Sequence, residues 1–529
     1  MKRRTFLKRA LPVATIPFLI NGLPIKAFGK GSVFENLLKS AEANNNVLVL
    51  IQLVGGNDGL NTVIPLDQYT NLSTARANIL IPENLVLPLD GSTVTGLHPV
   101  MTGIQALFNE QQATIVQGVS YPNPNFSHFE ATDIWLTASN SDVPPPTGWV
   151  GRYIDDYYPD YPTNYPNTTT PDPLALQIGS TVSTALQGPA ISMGIAITSS
   201  TEFYTLTTGT FPPVPSSPQG HELNFLRETS LQTNAYATVI QQAAAAQANL
   251  STEYPAAGTN DLADQLKIVA QLIGGGLQTK VYMVSLGTFD THSAQVSATG
   301  GNQTGAHADM LSKFSVAVSA FMNDLSLMGK QDQVIGMTFS EFGRRIISNG
   351  SQGTDHGTAE PVFLFGTQVQ AGLIGTNPVI PPNANVNDNI AMQQDFRSLY
   401  SSVLKQWFCV SDEALSDAML DASFPLIDLV KSSCSTSTGI NQPTTAADTL
   451  RNYPNPANSS TIIEFTTTGG NLQLKLYDEV GKEVETLVEG SYAAGTYQVE
   501  VDTHSMSKGI YFYTLMQGQK KLTNKMLVM

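Results

Sequence analysis

At 529 residues the chain is long enough for about two to four domains of roughly 100–200 residues each. Hydrophobic residues make up 41%, which excludes wholesale disorder, and acids outnumber bases 43 to 27, which argues against a nucleic-acid partner. Two cysteines exclude a disulfide-built scaffold and any cysteine-built zinc or iron–sulfur site.

The chain opens on Lys2, Arg3, Arg4, Lys8 and Arg9, then runs apolar from Ala10 to about Leu23. A basic head before a short apolar segment has the form of an export signal, because the charges stay cytoplasmic while the apolar part enters the membrane. Asn21, Gly22 and Pro24 break the run short of the ~20 residues that span a bilayer. Residues 1–28 therefore read as a removable signal peptide, and no permanent transmembrane helix is expected. Arg3-Arg4 followed by Phe6-Leu7-Lys8 resembles the bacterial twin-arginine signal, which exports folded proteins through its own machinery.

Residues 46–431 read as an α/β domain. Strands are expected at 47–53, 113–117, 280–286, 333–339 and 362–365, with helical spacing at 100–108, 233–247, 261–272 and 311–327. The first strand, Val-Leu-Val-Leu-Ile-Gln-Leu, is the continuous apolar run of a strand buried on both faces. Alternation of strands and helices points to a mostly parallel sheet covered by helices. In such sheets functional groups collect at the carboxyl ends of the strands.

Those ends are rich in ligand chemistry. The first strand leads into Gly55-Gly-Asn-Asp-Gly, with Asp58 in a glycine-rich turn. The strand from 280 leads to Asp290 and His292, two apart and so on one side of an extended chain. The strand from 333 ends at Ser340-Glu-Phe-Gly-Arg-Arg345, followed by Asp355 and His356. Asp, Glu and His are the oxygen and nitrogen ligands of zinc, manganese and related ions. Taken singly, Asp58 fits a helix cap, Glu341 a salt bridge to its neighbouring arginines, and Asp355-His356 an ordinary turn. Their shared placement at strand ends points to a metal centre. After the strand at 113–117 comes Phe126-Ser-His-Phe129. Ser127 is expected at a helix N-terminus, as a nucleophile or simply as the cap. His128 beside it is a candidate ligand or general acid, and Arg344 a candidate to hold an anion.

Cys409 and Cys434 lie 25 positions apart. They can close one bridge in an oxidising compartment, and two separate thiols fit the sequence equally. Residues 432–450 are small and polar without periodicity, as in a linker. Beyond them, short alternating strands at 461–465, 472–477, 497–502, 510–515 and 522–528 point to a small all-β, immunoglobulin-like sandwich.

Two family resemblances rest on these motifs. Asn452-Tyr-Pro-Asn-Pro456, Leu476-Tyr-Asp-Glu-Val-Gly-Lys482, Lys508-Gly-Ile-Tyr-Phe-Tyr513 and the closing residues 520–528 are similar to the sorting domain of the Bacteroidetes type IX secretion system. That resemblance covers 451–529 and implies passage through the periplasm and outer membrane by that machinery, then secretion or attachment to the cell surface. The core motifs are Val54-Gly-Gly-Asn-Asp-Gly-Leu-Asn-Thr62, Leu97-His-Pro99, Ser127-His-Phe129, Gly148-Trp-Val-Gly-Arg152, Phe289-Asp-Thr-His292, Phe339-Ser-Glu-Phe-Gly-Arg344 and Thr354-Asp-His-Gly-Thr358. These resemble the domain-of-unknown-function 1501 family, exported relatives of the alkaline phosphatase and sulfatase superfamily.

The resemblance implies an alkaline-phosphatase-like fold and a hydrolase of phosphate or sulfate esters. Its substrate would be a small-molecule or glycan ester. It would carry one or two divalent ions, zinc foremost, with manganese, calcium and magnesium as alternatives. It assigns Asp58, Asp290, His292, Glu341, Asp355 and His356 to metal binding. Ser127, His128 and Arg344 go to catalysis, with Ser127 or a metal-activated water attacking and Arg344 holding the ester anion. Phe342 and Glu341 depart from the superfamily's histidine and aspartate, and Ser127 lacks the cysteine-centred motif of sulfatases. The alternative is a non-catalytic surface binding protein that keeps the fold.

Overall fold

A computed structural model describes residues 18–20, 23–25, 45–431, 434 and 450–528, apart from 143, 159–160, 162–164, 190, 201–216, 432–433, 454, 468, 479–480, 494, 505 and 518–519. The chain forms two compact units, Met1–Cys434 and Ser435–Met529. Of the expected signal peptide, only a short antiparallel pair, Phe18–Ile20 with Leu23–Ile25, is described. The rest of it lies outside the described residues, as does the expected linker apart from Cys434 and Leu450.

The first unit is built on a nine-stranded sheet. Its central strand β1 (Val47–Val54) is buried at nearly every position, as a strand covered on both faces must be. Helix α1 (Thr102–Asn109) precedes β2 (Ala113–Ser120), which leads through a loop to α2 (His128–Thr137) and α3 (Trp149–Tyr157). Strands β3 (Ala175–Ile178) and β4 (Gly194–Ile197), too short to stand out in the sequence, come next, with β4 at the sheet edge. They are followed by α4 (Pro218–Ala246), α5 (Asp261–Gly274), β5 (Val281–Gly287), α6 (Ala306–Leu327) and β6 (Val334–Phe339). A hairpin, β7 (Arg344–Ser348) and β8 (Thr354–His356), precedes β9 (Glu360–Phe365), β10 (Gly372–Ile374) and β11 (Gln394–Asp395). Helix α7 (Phe396–Gln406) completes the set that concerns the site.

The order across the sheet is β10-β2-β9-β6-β1-β5-β3-β4, with β11 also on β2. Strand β1 pairs in parallel with β5 and β6. The expected mostly parallel sheet is therefore present, with one reversal: β9 runs antiparallel to both β6 and β2. Its first residue, Glu360, is thereby delivered to the end of the sheet where its neighbours finish.

Helix ends follow local chemistry. Asn260 caps α5 by accepting from the Ala263 amide, and Asp261 and Asp264 occupy its first turn, where the helix dipole favours acids. Asp395 caps α7 through the Arg397 amide. Trp135 of α2 stacks on Phe396 of α7 with ring centres 4.4 Å apart, and Trp149 of α3 on Tyr400 at 4.3 Å. These wholly buried aromatics pack α2, which carries His128, and α3 onto α7, and truncating either tryptophan would cost about 3–5 kcal/mol. Cys409 and Cys434 form a disulfide, which settles the question their spacing left open.

The second unit has seven strands in two antiparallel sheets. One holds Leu450–Tyr453, Ser460–Thr467 and Gly495–Asp502; the other holds Gly470–Tyr477, Glu483–Tyr492, Gly509–Gln517 and Lys520–Val528. Ile463, Phe465, Leu474, Leu476, Tyr513 and Met526 form a core shared by both sheets. Among the described residues, no helix is long and apolar enough to cross a membrane.

Candidate metal centre

Three histidines and one aspartate converge where β2, β5 and the β7–β8 hairpin end. His128 opens α2, Asp290 and His292 follow β5, and His356 closes β8. His128, Asp290 and His356 each offer a ligand atom within 4.8 Å of the others. From Asp290, Oδ1 lies 3.1 Å from His292 Nε2 and 3.7 Å from His356 Nε2, and Oδ2 lies 3.6 Å from His128 Nε2. All four side chains are partly open, between 21% and 45% exposed.

The far side of each ring is fixed by an acceptor. His356 Nδ1 is 2.7 Å from the Phe126 carbonyl, which can only accept, so this nitrogen carries the proton. His128 Nδ1 is 2.7 Å from Glu341 Oε1, and His292 Nδ1 is 3.3 Å from Asp355 Oδ1. With Nδ1–H donated outward, His128 and His356 turn Nε2 toward Asp290, and His292 Nε2 lies beside Asp290 Oδ1 and His356 Nε2. Partners of this kind orient metal-binding imidazoles and fix their tautomer. Nε2 of His292 and of His356 are 2.8 Å apart. Two bare lone pairs repel at that distance, so the pair requires a shared proton or a cation. Burial, foremost, holds the His356 imidazole below its ordinary pKa, which favours the neutral form that ligates.

Backbone and arginine shape the floor. Gly55 and Gly56 have φ of +118° and +80°, a region that favours glycine. A Cβ on Gly55 would lie 2.4 Å from the Asp290 amide, and one on Gly56 2.4 Å from the Phe342 ring. Arg344 is wholly buried. It donates to the carbonyls of Gly56 at 2.7 Å, Thr354 at 2.8 Å and Phe289 at 3.2 Å, to that of Gly55, and to Asp290 Oδ1 at 2.8 Å. It thus ties three strand-end loops together and orients Asp290. Burial raises the Asp290 carboxyl, and Arg344, His292 and His128 more than offset this, leaving its pKa below the ordinary value.

The remaining expected residues stand as follows. Glu341 is buried, accepts from the Gly55 amide at 2.9 Å and supports His128. Asp355 supports His292 and is itself held by Asn349 at 3.0 Å. Ser127 is the exposed residue preceding α2; its hydroxyl makes no capping bond. Phe342 packs its ring against His128 and His356, at 4.9 and 4.4 Å between centres.

Asp58 is not brought to the cluster's donors. Both its oxygens accept from Arg76 Nη1, at 2.9 and 2.8 Å, and Oδ2 also from Gln295 at 2.5 Å. Around this ion pair lie two further buried histidines. His307 Nε2 is 3.1 Å from Asn57 Oδ1 and meets His98 edge to face. Burial pushes His98 down to about 3 and His307 to about 4. The Leu97-His-Pro99 motif contains one of them, but nothing in the sequence marks Arg76, Gln295 or His307 as partners. Glu360 was likewise unmarked; the available signal was an acid heading an otherwise apolar strand.

Residues 217–419 match a family described as a protein of unknown function, DUF1501. Residues 451–529 match the secretion system C-terminal sorting domain. The core carries a DUF1501 segment, and the tail is a sorting domain. The DUF1501 match takes in Asp290, His292, Glu341, Arg344, Asp355 and His356, while Asp58, Ser127 and His128 precede it. The sorting domain indicates export by the type IX system to the cell surface or beyond. Among curated proteins none matches. Among solved structures, a protein in the alkaline phosphatase superfamily from Vibrio parahaemolyticus is similar at 9% identity, over 91% of each chain, with a TM-score of 0.33. The phosphonate monoester hydrolase SpPMH from Silicibacter pomeroyi is similar at 10% identity, over 91% of this chain and 88% of that one, with a TM-score of 0.30. Dimeric latent PorU from Porphyromonas gingivalis matches at 19% identity and a TM-score of 0.13; the match covers 16% of this chain and spans 9% of PorU.

Proposed function

We propose that the core is an exported, metal-dependent hydrolase of phosphate or sulfate esters, acting on a small-molecule or glycan ester. One divalent cation would sit between His128, Asp290, His292 and His356. The observation that carries this is the convergence of three Nε2 atoms on one carboxylate, each ring held from behind by an acceptor. Nitrogen-rich ligands with one carboxylate suit zinc best, with manganese, calcium and magnesium as weaker fits. Such an ion supplies Lewis acidity toward an ester oxygen.

The chain's own groups divide the remaining work. Ser127 presents a free hydroxyl at the start of α2, beside His128, and is the proposed nucleophile. Glu341 and Asp355 orient the rings of His128 and His292 rather than ligating. Arg344 orients Asp290; enclosed by five acceptors, it is in no position to hold an ester anion. Asp58 is a structural partner of Arg76. Entry through the twin-arginine route, before type IX export, completes the proposed itinerary.

Elemental analysis of the purified protein, beside Asp290→Ala and His356→Ala, tests the centre. One transition metal per chain, lost in both variants, is expected, together with ester hydrolysis abolished by a chelator. A metal-free, folded wild type would remove the proposal. Phe342 favours a second reading, a surface binding protein, because an inert ring fills the place where the family resemblance leads one to expect a ligand. A metal-loaded protein inert toward phosphate and sulfate esters would select that reading.

A further inference from the structure

Glu360 has no part in the machinery described so far. It lies at the head of β9, is 2% exposed, and sits beside Ser340 and Glu341 because β9 alone runs against its neighbours. Its Oε1 accepts from the Ser340 amide at 2.7 Å, while its Oε2 has no hydrogen-bond partner. A buried oxygen without a partner costs about 1–3 kcal/mol, so a carboxyl here is a departure that calls for a compensating role.

We infer that Glu360 is a positioning residue of the cation site, acting through Ser340 and Glu341 on the ring of His128. This rests on the cation reading above. The path is continuous. Glu360 fixes the Ser340 amide, and the Ser340 hydroxyl donates to the Leu53 carbonyl at 2.6 Å and accepts from the Asn57 amide at 3.2 Å. The next residue, Glu341, is thereby set to accept from Gly55 and to face His128 Nδ1 at 2.7 Å. Remove the acceptor on Glu360 and the Ser340 amide is left buried and unpaired, so the turn must shift, and the carboxylate behind His128 shifts with it.

What Glu360 contributes is an acceptor for the Ser340 amide. Burial, reinforced by the nearby Glu341, holds its carboxyl well above the ordinary range. An amide can accept the same bond, which separates this role from simple packing.

The test measures zinc affinity and the imidazole 15N shifts of His128 in the full chain, whose seven histidines keep the spectrum tractable. Glu360→Met is expected to weaken zinc binding by about 10–100-fold, the usual cost of losing an outer partner, and to move the His128 shifts. Glu360→Gln is expected to keep both near wild type. Equal loss in Gln and Met, or wild-type zinc binding with unmoved shifts in Met, would overturn the inference. Should Met prevent folding, Glu360→Asp withdraws the acceptor by one methylene and must weaken binding; unchanged affinity overturns the inference as well. If the wild type binds no zinc, the cation reading fails by itself. Glu360 is then judged on the His128 shifts alone, which must still move in Asp or Met and stay in Gln.

Discussion

Two groups of acids, histidines and arginines stand at the same end of the sheet, built from the same kinds of residues, and they are opposites. Around Asp58, every charge is sealed: Asp58 and Arg76 are 1% and 0% exposed and bonded to each other, and His98 and His307 are buried neutral beside them. Around Asp290, the side chains stay partly open and their free lone pairs face one another rather than a partner. The first group has spent its bonding capacity on the fold. The second has kept part of it, and holding it in that state takes Arg344, Glu341, Asp355 and the Phe126 carbonyl. Residue type does not separate the two; saturation does.

If that contrast is right, breaking the sealed group should damage stability and leave the open one chemically intact. Asp58→Ala strands Arg76 as an unpaired buried charge, which costs about 3–5 kcal/mol. Denaturant unfolding should show that loss, while the folded fraction retains its metal. Loss of metal with stability unchanged would mean that Asp58 belongs to the open group after all.

The converse experiment adds ligand instead of removing a partner. Zinc that binds only the folded state stabilises it by about 2.7 kcal/mol at a hundred times Kd. Thermal unfolding of wild type should rise with zinc, and His356→Ala should show no such rise while matching wild type without metal. An equal rise in both would place the ion elsewhere.

A smaller effect separates the groups by pH. His98 and His307 have folded pKa values of about 3 and about 4, held down by burial, against about 6.5 when unfolded. Below 6.5 the unfolded chain therefore binds more protons than the folded one, and stability falls as pH drops from 6.5 toward 4. His307→Gln, which can still donate toward Asn57, should flatten that slope. Asp58 stays out of this window, because Arg76 and His307 outweigh its burial and keep its pKa below the ordinary carboxylate value.

The legibility of these features in sequence follows the range of the interactions. The long apolar strands β1 and β6 and the alternating strands of the tail announce themselves, since each carries its burial pattern in consecutive residues. The placement of Asp290 and His292 was legible because a parallel sheet delivers strand ends to one place, whereas His356 closes the separate antiparallel β7–β8 hairpin. What failed to show were contacts without local pattern. Arg76 reaches Asp58 across 18 positions and Gln295 reaches it across 237, and neither lies at a strand end. Glu360 was hidden by direction: a β9 read as parallel would carry it to the opposite end of the sheet. Arg344 was expected to hold an anion, but its bonding depends on which carbonyls surround it, and no sequence motif encodes that.

Ser127 gives the gentlest and most discriminating test. Its side chain is exposed and makes no capping bond, so Ser127→Ala should change stability by no more than about 0.5 kcal/mol, as for an ordinary surface site. Zinc binding should also persist, since none of the four proposed ligands touches this hydroxyl. Ester hydrolysis, in contrast, should fall by on the order of a thousandfold or more if Ser127 forms the covalent bond to phosphorus or sulfur. Retained hydrolysis would transfer the attack to water and leave Ser127 as the residue that begins α2. A large fall in stability would mean instead that the hydroxyl caps the helix, and that its apparent freedom is not a sign of chemistry.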